Sequence, residues 1–431
     1  MNYFSASGAR PLRSGFALLA SVFCYGACGE ASPAPESAAI EYALRYTVEV
    51  VPDAGEALVT LDLGQSRRLL REMRMTIDPE RHHEIRGDGR IDVAGNDVRW
   101  YPPADGGTIE WRVQLAHRRN GDGYDAWLGP EWGLFRAEDI IPRAHTRTLK
   151  GASSRTELQF EMPSSWTAVT EYFGRRNTFE ISKPDRRFDQ PSGWIVLGDL
   201  GVRRDRVEDT RLAVAAPRNQ SVRRVEMLAL LRWTLPELAR VLPSLPRRLT
   251  IVSAGEPMWR GALSGPGSLF IHAERPLISE NATSTLLHEV VHVSTRLRAR
   301  PGHDWIVEGI AEYYSLEMLY RSGSISEDRY DAARRTQAEW AREANALCVR
   351  SASGPVTALA VTILAALDAE LRSIETAAVS LDDVVSEITS AGVPVDLAIL
   401  RNTAESLAGT NIETLHTDNL PGCRNITSVE K

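Results

Sequence analysis

His288, Glu289 and His292 have the side-chain types and the spacing of a metal site that activates water. The sequence predicts a helix over residues 281–299, on which the two histidines share one face and can bind one metal ion. Glu289 lies beside them, where it can act on a metal-bound water rather than bind the metal. The motif also fits an amphipathic core helix whose two histidines are hydrogen-bonded within the protein.

A third ligand is needed, because catalytic zinc usually has three protein ligands and one open position. Glu308 is the candidate, since it lies near the start of a second predicted helix, residues 304–321, with Asp304 as the expected N-cap. Glu312 lies one turn later and is expected to accept a hydrogen bond from the distal nitrogen of a ligand histidine. A solvated helix carboxylate is the alternative for Glu312. The predicted Zn²⁺ ligands are His288, His292 and Glu308.

The segment from His288 to Tyr314 resembles the gluzincin zinc metallopeptidases, the group that contains thermolysin and the alanyl aminopeptidases. It is most similar to the glycyl aminopeptidase family, in which a basic stretch ending in Arg-Pro and then a Trp-x-x-Glu-Gly motif follow the histidines. The corresponding residues are Arg296, Arg298, Arg300, Pro301, Trp305, Glu308, Gly309 and Glu312. A second match covers the small-residue helix that ends at Arg372 and the stretch from Ser380 to Val384.

The resemblance implies a thermolysin-like catalytic domain, here residues 216–345, that hydrolyses peptide bonds with zinc and with Glu289 as general base. The substrate would be a peptide or a protein. In gluzincins an edge strand beside the cleft pairs with the substrate backbone, and residues 267–272 form the predicted strand here. Family members often carry a PDZ domain, and 431 residues leave too little length for one, so we expect that module to be absent.

Two features of the aminopeptidases have no counterpart in this sequence. Those enzymes bind the free amine of the substrate with a carboxylate beside the edge strand, whereas residues 264–271 contain none. In the alanyl aminopeptidases a tyrosine that stabilises the oxyanion precedes the small-residue helix, whereas residues 350–354 contain no tyrosine. Aminopeptidase and endopeptidase action therefore both stay open. The residues that could replace the tyrosine are Tyr313, Tyr314, Tyr330 and His303.

A protein of another class is the alternative, namely a catalytically degenerate, zinc-stabilised binding or scaffold protein of the cell envelope. The missing carboxylate and the missing tyrosine favour this alternative. Glu289 argues against it, because a purely structural zinc site does not need a general base. The sequence therefore favours the enzyme.

The pattern of strands and helices predicts an α+β multidomain protein. Residues 39–215 contain strand-like stretches between turn clusters, such as the alternating segment from Ala57 to Leu63, and predict an N-terminal antiparallel β-sandwich-like domain. Within it, residues 119–145 are rich in Gly, Trp and Pro and predict a long loop over the cleft. Residues 346–431 contain apolar stretches of helical periodicity and predict a C-terminal helical region.

Residues 1–28 have the pattern of an export signal, with two arginines before an apolar run that is too short to span a membrane. Residues 29–38, rich in Ala, Ser and Pro, form a linker. The signal resembles that of bacterial lipoproteins, which implies a lipid on Cys28 and membrane attachment, although Tyr25 stands where Leu is usual. The alternative is cleavage near Ala27 or Ala31 without a lipid. We expect an exported protein that is periplasmic, membrane-anchored or secreted.

Cys348 and Cys423 are the two cysteines that remain after the signal. In an exported protein they are expected to form a disulfide, and two free buried thiols are the alternative. No later stretch reaches 18 consecutive apolar residues, so we expect no transmembrane helix. The net charge of −7, without a long compensating basic run, argues against a nucleic-acid binder. The oligomeric state is not predicted.

Overall fold

The structure, a computed structural model, describes residues 40–119, 123–181, 187–375 and 378–423. The predicted export signal, the linker and Cys28 lie outside the described residues. The strands are β1 Ile40–Val51, β2 Glu56–Gly64, β3 Leu70–Thr76, β4 His82–Gly87, β5 Arg90–Ala94, β6 Asp97–Tyr101, β7 Gly106–Gln114, β8 His117–Arg118, β9 Tyr124–Leu128, β10 Trp132–Arg136, β11 Ala144–Thr148, β12 Ala152–Glu161, β13 Thr167–Val169, β14 Phe173–Arg175, β15 Thr178–Ile181, β16 Trp194–Gly198, β17 Leu200–Val207, β18 Thr210–Pro217, β19 Arg248–Ala254, β20 Ala262–Gly265 and β21 Ser268–His272. The α-helices are α1 Ala137–Ile140, α2 Arg224–Val241, α3 Thr285–Thr295, α4 Asp304–Arg321, α5 Glu327–Ala341, α6 Pro355–Arg372, α7 Leu381–Ala391 and α8 Leu397–Ala408.

Two sheets in the N-terminal part share one apolar core. A seven-stranded sheet has the order β14-β15-β12-β1-β2-β7-β4, and a four-stranded sheet has the order β11-β3-β6-β5. The alternation in the sequence matches the burial, because every second residue of β2, from Ala57 to Leu63, is buried. Trp100 and Trp111 fill the core from the two sheets. One detail differs from an antiparallel sandwich, since β1 and β12 run parallel.

A third sheet, of order β13-β16-β10-β9-β8, contains strands from the stretch that we predicted to be a long loop over the cleft. That prediction is wrong, because Tyr124–Leu128 and Trp132–Arg136 pair as neighbouring strands. The first four residues of β10 are all buried, so this strand carries apolar residues on both faces. It therefore lacks the alternation by which a half-exposed strand is recognised in a sequence.

A fourth sheet, of order β17-β18-β19-β21-β20, carries the helices that contain the histidine motif. Strands β18, β19 and β21 are parallel, and β20 is an antiparallel edge strand. The strand predicted at residues 267–272 is β21, which lies between β19 and β20, so the prediction that it is the edge strand is wrong and the edge is β20. Helices α2 and α3 pack against one face of this sheet. On the other face, Val252 and Phe270 pack against Trp194 of β16. The predicted domain limit at residue 215 falls within β18, and the limits of the domains stay predictions.

The C-terminal region is helical, and α6 packs closely against α4. This approach requires glycine at position 309, because a Cβ atom there would lie 2.8 Å from the Cβ of Ala360. Cys348 and Cys423 form a disulfide that ties the last described residue to the segment after α5. None of the helices within the described ranges has both the length and the apolar composition of a membrane span. The α+β fold class, with β sheets first and helices last, is confirmed.

The disulfide closes a long loop, since its cysteines are 75 residues apart in the sequence. A cross-link of this length restricts the unfolded chain, for which the chain-entropy model gives a stabilisation of about 4 kcal/mol. We expect the double variant Cys348→Ser/Cys423→Ser to lower the free energy of unfolding by about 2–4 kcal/mol, measured by denaturant unfolding. Reductant should destabilise the wild type to a similar extent and leave the double variant unchanged. Equal stability of the oxidised wild type and the variant would contradict the prediction.

His82 should make the stability depend on pH. Its ring is buried, Nδ1 donates to the carbonyl oxygen of Asp78 at 3.1 Å, and Nε2 has no hydrogen-bond partner among the described residues. Burial lowers the pKa of His82, and the carbonyl of Asp78 only partly offsets it. The unfolded chain therefore binds this proton more tightly, and the stability is complete above about pH 6.5 and is lost as the pH falls below it.

We expect His82→Gln to lose less stability than the wild type between pH 7 and pH 5, because the variant removes one titrating group. The free energy of unfolding at the two pH values measures this difference. His145→Gln, which makes the same exchange at an exposed histidine, is the control for the substitution itself. An unchanged pH dependence in the His82 variant would show that this ring does not titrate on unfolding.

Candidate active site

The histidine motif lies on helix α3, whose two ends and buried face are clear in the structure. The hydroxyl of Ser284 caps the helix and accepts a hydrogen bond from the backbone N–H of Leu287, at 3.3 Å. Leu286 and Val290 lie fully buried in the core that α3 shares with the sheet. The helix ends at Arg296, whose φ of 53° is left-handed, so it is shorter than the predicted range of 281–299.

Helix α4 supplies the remaining polar groups of the site. Its N-cap is His303 rather than Asp304, which is the first residue of the helix, so the predicted N-cap is wrong by one position. The carboxylate of Asp304 instead accepts a hydrogen bond from the backbone N–H of Ala352, at 2.8 Å. Trp305 is fully buried and anchors this end of the helix in the core. The hydrogen bond of Asp304 and the packing of Trp305 therefore both hold the start of the helix that carries Glu308.

Three predicted ligand atoms meet in one place. His288 Nε2 lies 3.0 Å from His292 Nε2, and each lies 3.4 Å from a carboxylate oxygen of Glu308. Bonds of about 2.0–2.1 Å to a tetrahedral metal place ligand atoms about 3.3 Å apart. The spacing and the chemistry of the donor set therefore fit Zn²⁺. The three side chains keep 14–27% of their surface exposed, so solvent reaches the cluster.

Glu312 orients one of the histidines. Its Oε2 lies 3.0 Å from Nδ1 of His288, which makes Nδ1 the donor and leaves Nε2 as the nitrogen that faces Glu308 and could bind a metal. The other oxygen of Glu312 lies 3.5 Å from the side-chain nitrogen of Gln337 on α5. Gln337 was not identified from the sequence, because a single glutamine on a charged helix carries no local signal. Glu312 is part of the cluster rather than a solvated carboxylate.

The cluster strongly favours positive charge. Burial lowers the pKa of His288, but the hydrogen bonds with Glu308 and Glu312 outweigh burial and raise this pKa to about 10. Burial raises the pKa of Glu308, but the hydrogen bonds with His288 and His292 outweigh it and lower this pKa to about 2. A cation between these groups is thus stabilised by a carboxylate that stays ionised.

Glu289 lies next to the cluster in an unusual environment for a carboxylate. It is 8% exposed, and its charge acts on His288. No described residue donates a hydrogen bond to its carboxylate. Its oxygens are not fully enclosed. An acceptor without a partner among the described residues can bind a water molecule or a substrate group at the edge of the cluster.

The residues considered as oxyanion donors have other partners. The hydroxyl of Tyr313 donates to Asp368 at 3.2 Å, and that of Tyr314 donates to Asp382 at 2.8 Å. The hydroxyl of Tyr330 donates to Glu317, and His303 Nδ1 accepts a hydrogen bond from the backbone N–H of Leu397 at 3.4 Å. All four groups are therefore hydrogen-bonded to partners outside the metal cluster.

Comparison with known proteins gives a result only at the level of structure. No family model matches this sequence. No curated protein matches it either. A crystal structure of an aminopeptidase N family protein from Idiomarina loihiensis is 15% identical, and it aligns with a TM-score of 0.67 over 88% of this chain and 76% of that chain.

Two further solved structures are similar. Legionella pneumophila aminopeptidase A in complex with aspartic acid is 11% identical, with a TM-score of 0.52 over 89% of this chain and 49% of that chain. Yeast LTA4 hydrolase in complex with bestatin is 13% identical, with a TM-score of 0.55 over 89% of this chain and 68% of that chain. The chain thus spans about half the length of the Legionella enzyme. At these identities the likeness establishes the fold, and the fold implied by the gluzincin resemblance is confirmed.

Glu312 provides a test of the metal site that does not depend on activity. We expect Glu312→Gln to weaken zinc binding by about 10–100-fold, because the neutral amide polarises and orients His288 less well. Competition with a chelator of known zinc affinity measures the change. Glu339→Gln, an exposed carboxylate on α5, should bind zinc like the wild type. Equal affinities in the Glu312 variant and the wild type would exclude this role for Glu312.

Proposed function

We propose that the chain is a zinc-dependent metallopeptidase that hydrolyses peptide bonds in a peptide or protein substrate. One observation carries this proposal: the two histidine nitrogens and the Glu308 carboxylate converge beside Glu289, a largely buried residue whose carboxylate has no hydrogen bond from the described residues. A ligand set and an adjacent base are the two parts that zinc-assisted hydrolysis requires. The shared fold with solved aminopeptidase structures supports the same class.

His288, His292 and Glu308 would hold the metal, with Glu312 keeping His288 in the required tautomer. When bound, Zn²⁺ polarises a carbonyl and lowers the pKa of water toward about 7. Glu289 takes a proton from the attacking water at its carboxylate and later gives it to the leaving amine. The edge strand β20 offers backbone groups with which an extended substrate can pair.

The proposal also includes the location of the protein in the cell. The pattern of residues 1–28 supports export, and the disulfide between Cys348 and Cys423 is consistent with an oxidising compartment. We propose that the protein is exported to the bacterial periplasm, with membrane attachment through a lipid on Cys28. Secretion without a lipid is the alternative.

A catalytically degenerate scaffold is the second candidate function. It is favoured by one specific observation, namely that the hydroxyls of Tyr313, Tyr314 and Tyr330 donate to carboxylates outside the metal cluster. Loss of an oxyanion donor can reduce the rate by about 100-fold or more. A digest of a peptide library with and without a chelator distinguishes the two candidates. Chelator-sensitive cleavage supports the peptidase, and no cleavage at any sequence supports the scaffold.

Glu289 is the residue whose loss should separate chemistry from metal binding. We expect Glu289→Gln to reduce peptide hydrolysis by at least about 100-fold, because the amide cannot take the proton of the attacking water. The zinc content, measured by elemental analysis, should stay at one ion per chain. Glu308→Ala should instead lose zinc, because one of three ligands is gone. Unchanged hydrolysis in the Glu289 variant would refute its assignment as general base.

A further inference from the structure

A cavity of about 620 Å³ lies between the segment that contains β13, β14 and β15 and the fourth sheet. Its floor is partly apolar, with Trp166, Val169 and Phe179 among the lining residues. Five arginines line it, and the described lining residues include no carboxylate. We call it the arginine pocket, after Arg175, Arg176, Arg204, Arg211 and Arg248.

The arginine pocket is separate from the metal cluster. Along β19, Leu249 and Ile251 pack into the core that includes α2 and α3. The alternate residues face the other way, since Arg248 donates to the carbonyl of Tyr172 at 2.6 Å and Thr250 donates to the carbonyl of Thr170 at 3.3 Å. The pocket therefore lies on the face of the sheet opposite to the helices that carry the histidines.

Within the described ranges, none of the five arginines of the pocket forms an ion pair with an aspartate or glutamate. Asp205, next to Arg204 in the sequence, pairs with Arg232 at 2.7 Å instead. Burial and the charges of Arg204 and Arg211 lower the pKa of Arg248, and the charge of Glu171 only partly offsets this. Guanidinium groups that lie close together repel one another, and a bound anion would offset this repulsion.

An exposed aromatic ring organises two of these guanidinium groups. Phe173 keeps 58% of its surface exposed, although it is a large apolar side chain. The guanidinium carbon of Arg248 lies 4.7 Å from the ring centroid, and that of Arg211 lies 5.3 Å from it. These cation–π contacts hold both guanidinium groups beside the same ring. The ring also offers an apolar surface to any ligand that the arginines bind.

We propose that the arginine pocket binds a phosphate-bearing anion with at least two negative charges. Phosphate accepts hydrogen bonds from several guanidinium groups at once, because its oxygens point in different directions and planar guanidinium forks match them. A carboxylate has a single charge and two oxygens, so one arginine satisfies it. Phe173 and the apolar floor contact the organic part of the ligand. The phosphate comes from a soluble phosphate ester or from a lipid head group, and this inference does not rest on the zinc proposal.

The test uses two probes on the full chain at constant ionic strength. Inorganic pyrophosphate is titrated by calorimetry, and sedimentation measures binding to phosphatidylcholine vesicles with and without phosphatidic acid. We expect the wild type to bind at least one probe. The variant Arg204→Gln/Arg211→Gln should weaken that binding by about 100-fold, since each lost charge-assisted contact costs about tenfold. Neither guanidinium group donates a hydrogen bond within the described protein, and Gln keeps the backbone hydrogen bonds of both positions, so circular dichroism should show an unchanged fold.

The matched control is Arg203→Gln/Arg247→Gln, which removes the same charge from arginines of the same region that do not line the pocket. This control should bind like the wild type within about twofold. Because pyrophosphate also binds metal ions, the titration is repeated on Glu308→Ala, whose metal ligand set is incomplete, and binding should persist there. If the wild type and the control bind pyrophosphate and the pocket variant does not, the ligand is a soluble phosphate ester. If the pocket variant loses only its binding to vesicles that contain phosphatidic acid, the ligand is a lipid. Binding of neither probe by the wild type, or equal losses in the pocket variant and the control, would overturn the proposal.

Discussion

The pairing between Glu308 on α4 and the two histidines on α3 is the interaction on which the site depends. A half-buried carboxylate is stabilised by opposite charge and hydrogen-bond donors, and His288 and His292 can supply both. The pairing therefore fixes the distance and the rotation of the two helices relative to each other. It also concentrates negative charge where a cation is needed, so the same contact serves the fold and the proposed chemistry.

Helix α4 is held in this rotation by polar contacts with three other helices. Glu312 contacts Gln337 on α5, and the hydroxyl of Tyr313 donates to Asp368 on α6. The hydroxyl of Tyr314 donates to Asp382 on α7, which also pairs with Arg321 at 2.7 Å. A small rotation of α4 would leave several of these buried groups without partners, which is costly. The C-terminal helices thus determine the position of Glu308 although none of them contributes a proposed metal ligand.

The N-terminal sheets support the fourth sheet from its other face. The side-chain nitrogen of Trp194 donates to the carbonyl of Leu263 at 2.8 Å, which ties β16 to the edge strand β20. The same face carries the arginine pocket, so the sheet has a cluster that favours cations on one side and a cavity that favours anions on the other. An edge strand that is anchored in this way is fixed in position for an extended substrate.

The sequence by itself determined the local parts of this protein. The spacing of His288 and His292, the alternation in β2 and the α+β order of elements follow from periodicities of the helix and the strand, which a few neighbouring residues encode. Tertiary structure decided the rest. The strand in residues 132–136, the contact of Gln337 with Glu312 and the partners of the three tyrosines depend on residues far apart in the chain. Burial on both faces erases the local pattern of a strand, and hydrogen bonds between helices have no sequence period, so only packing reveals them.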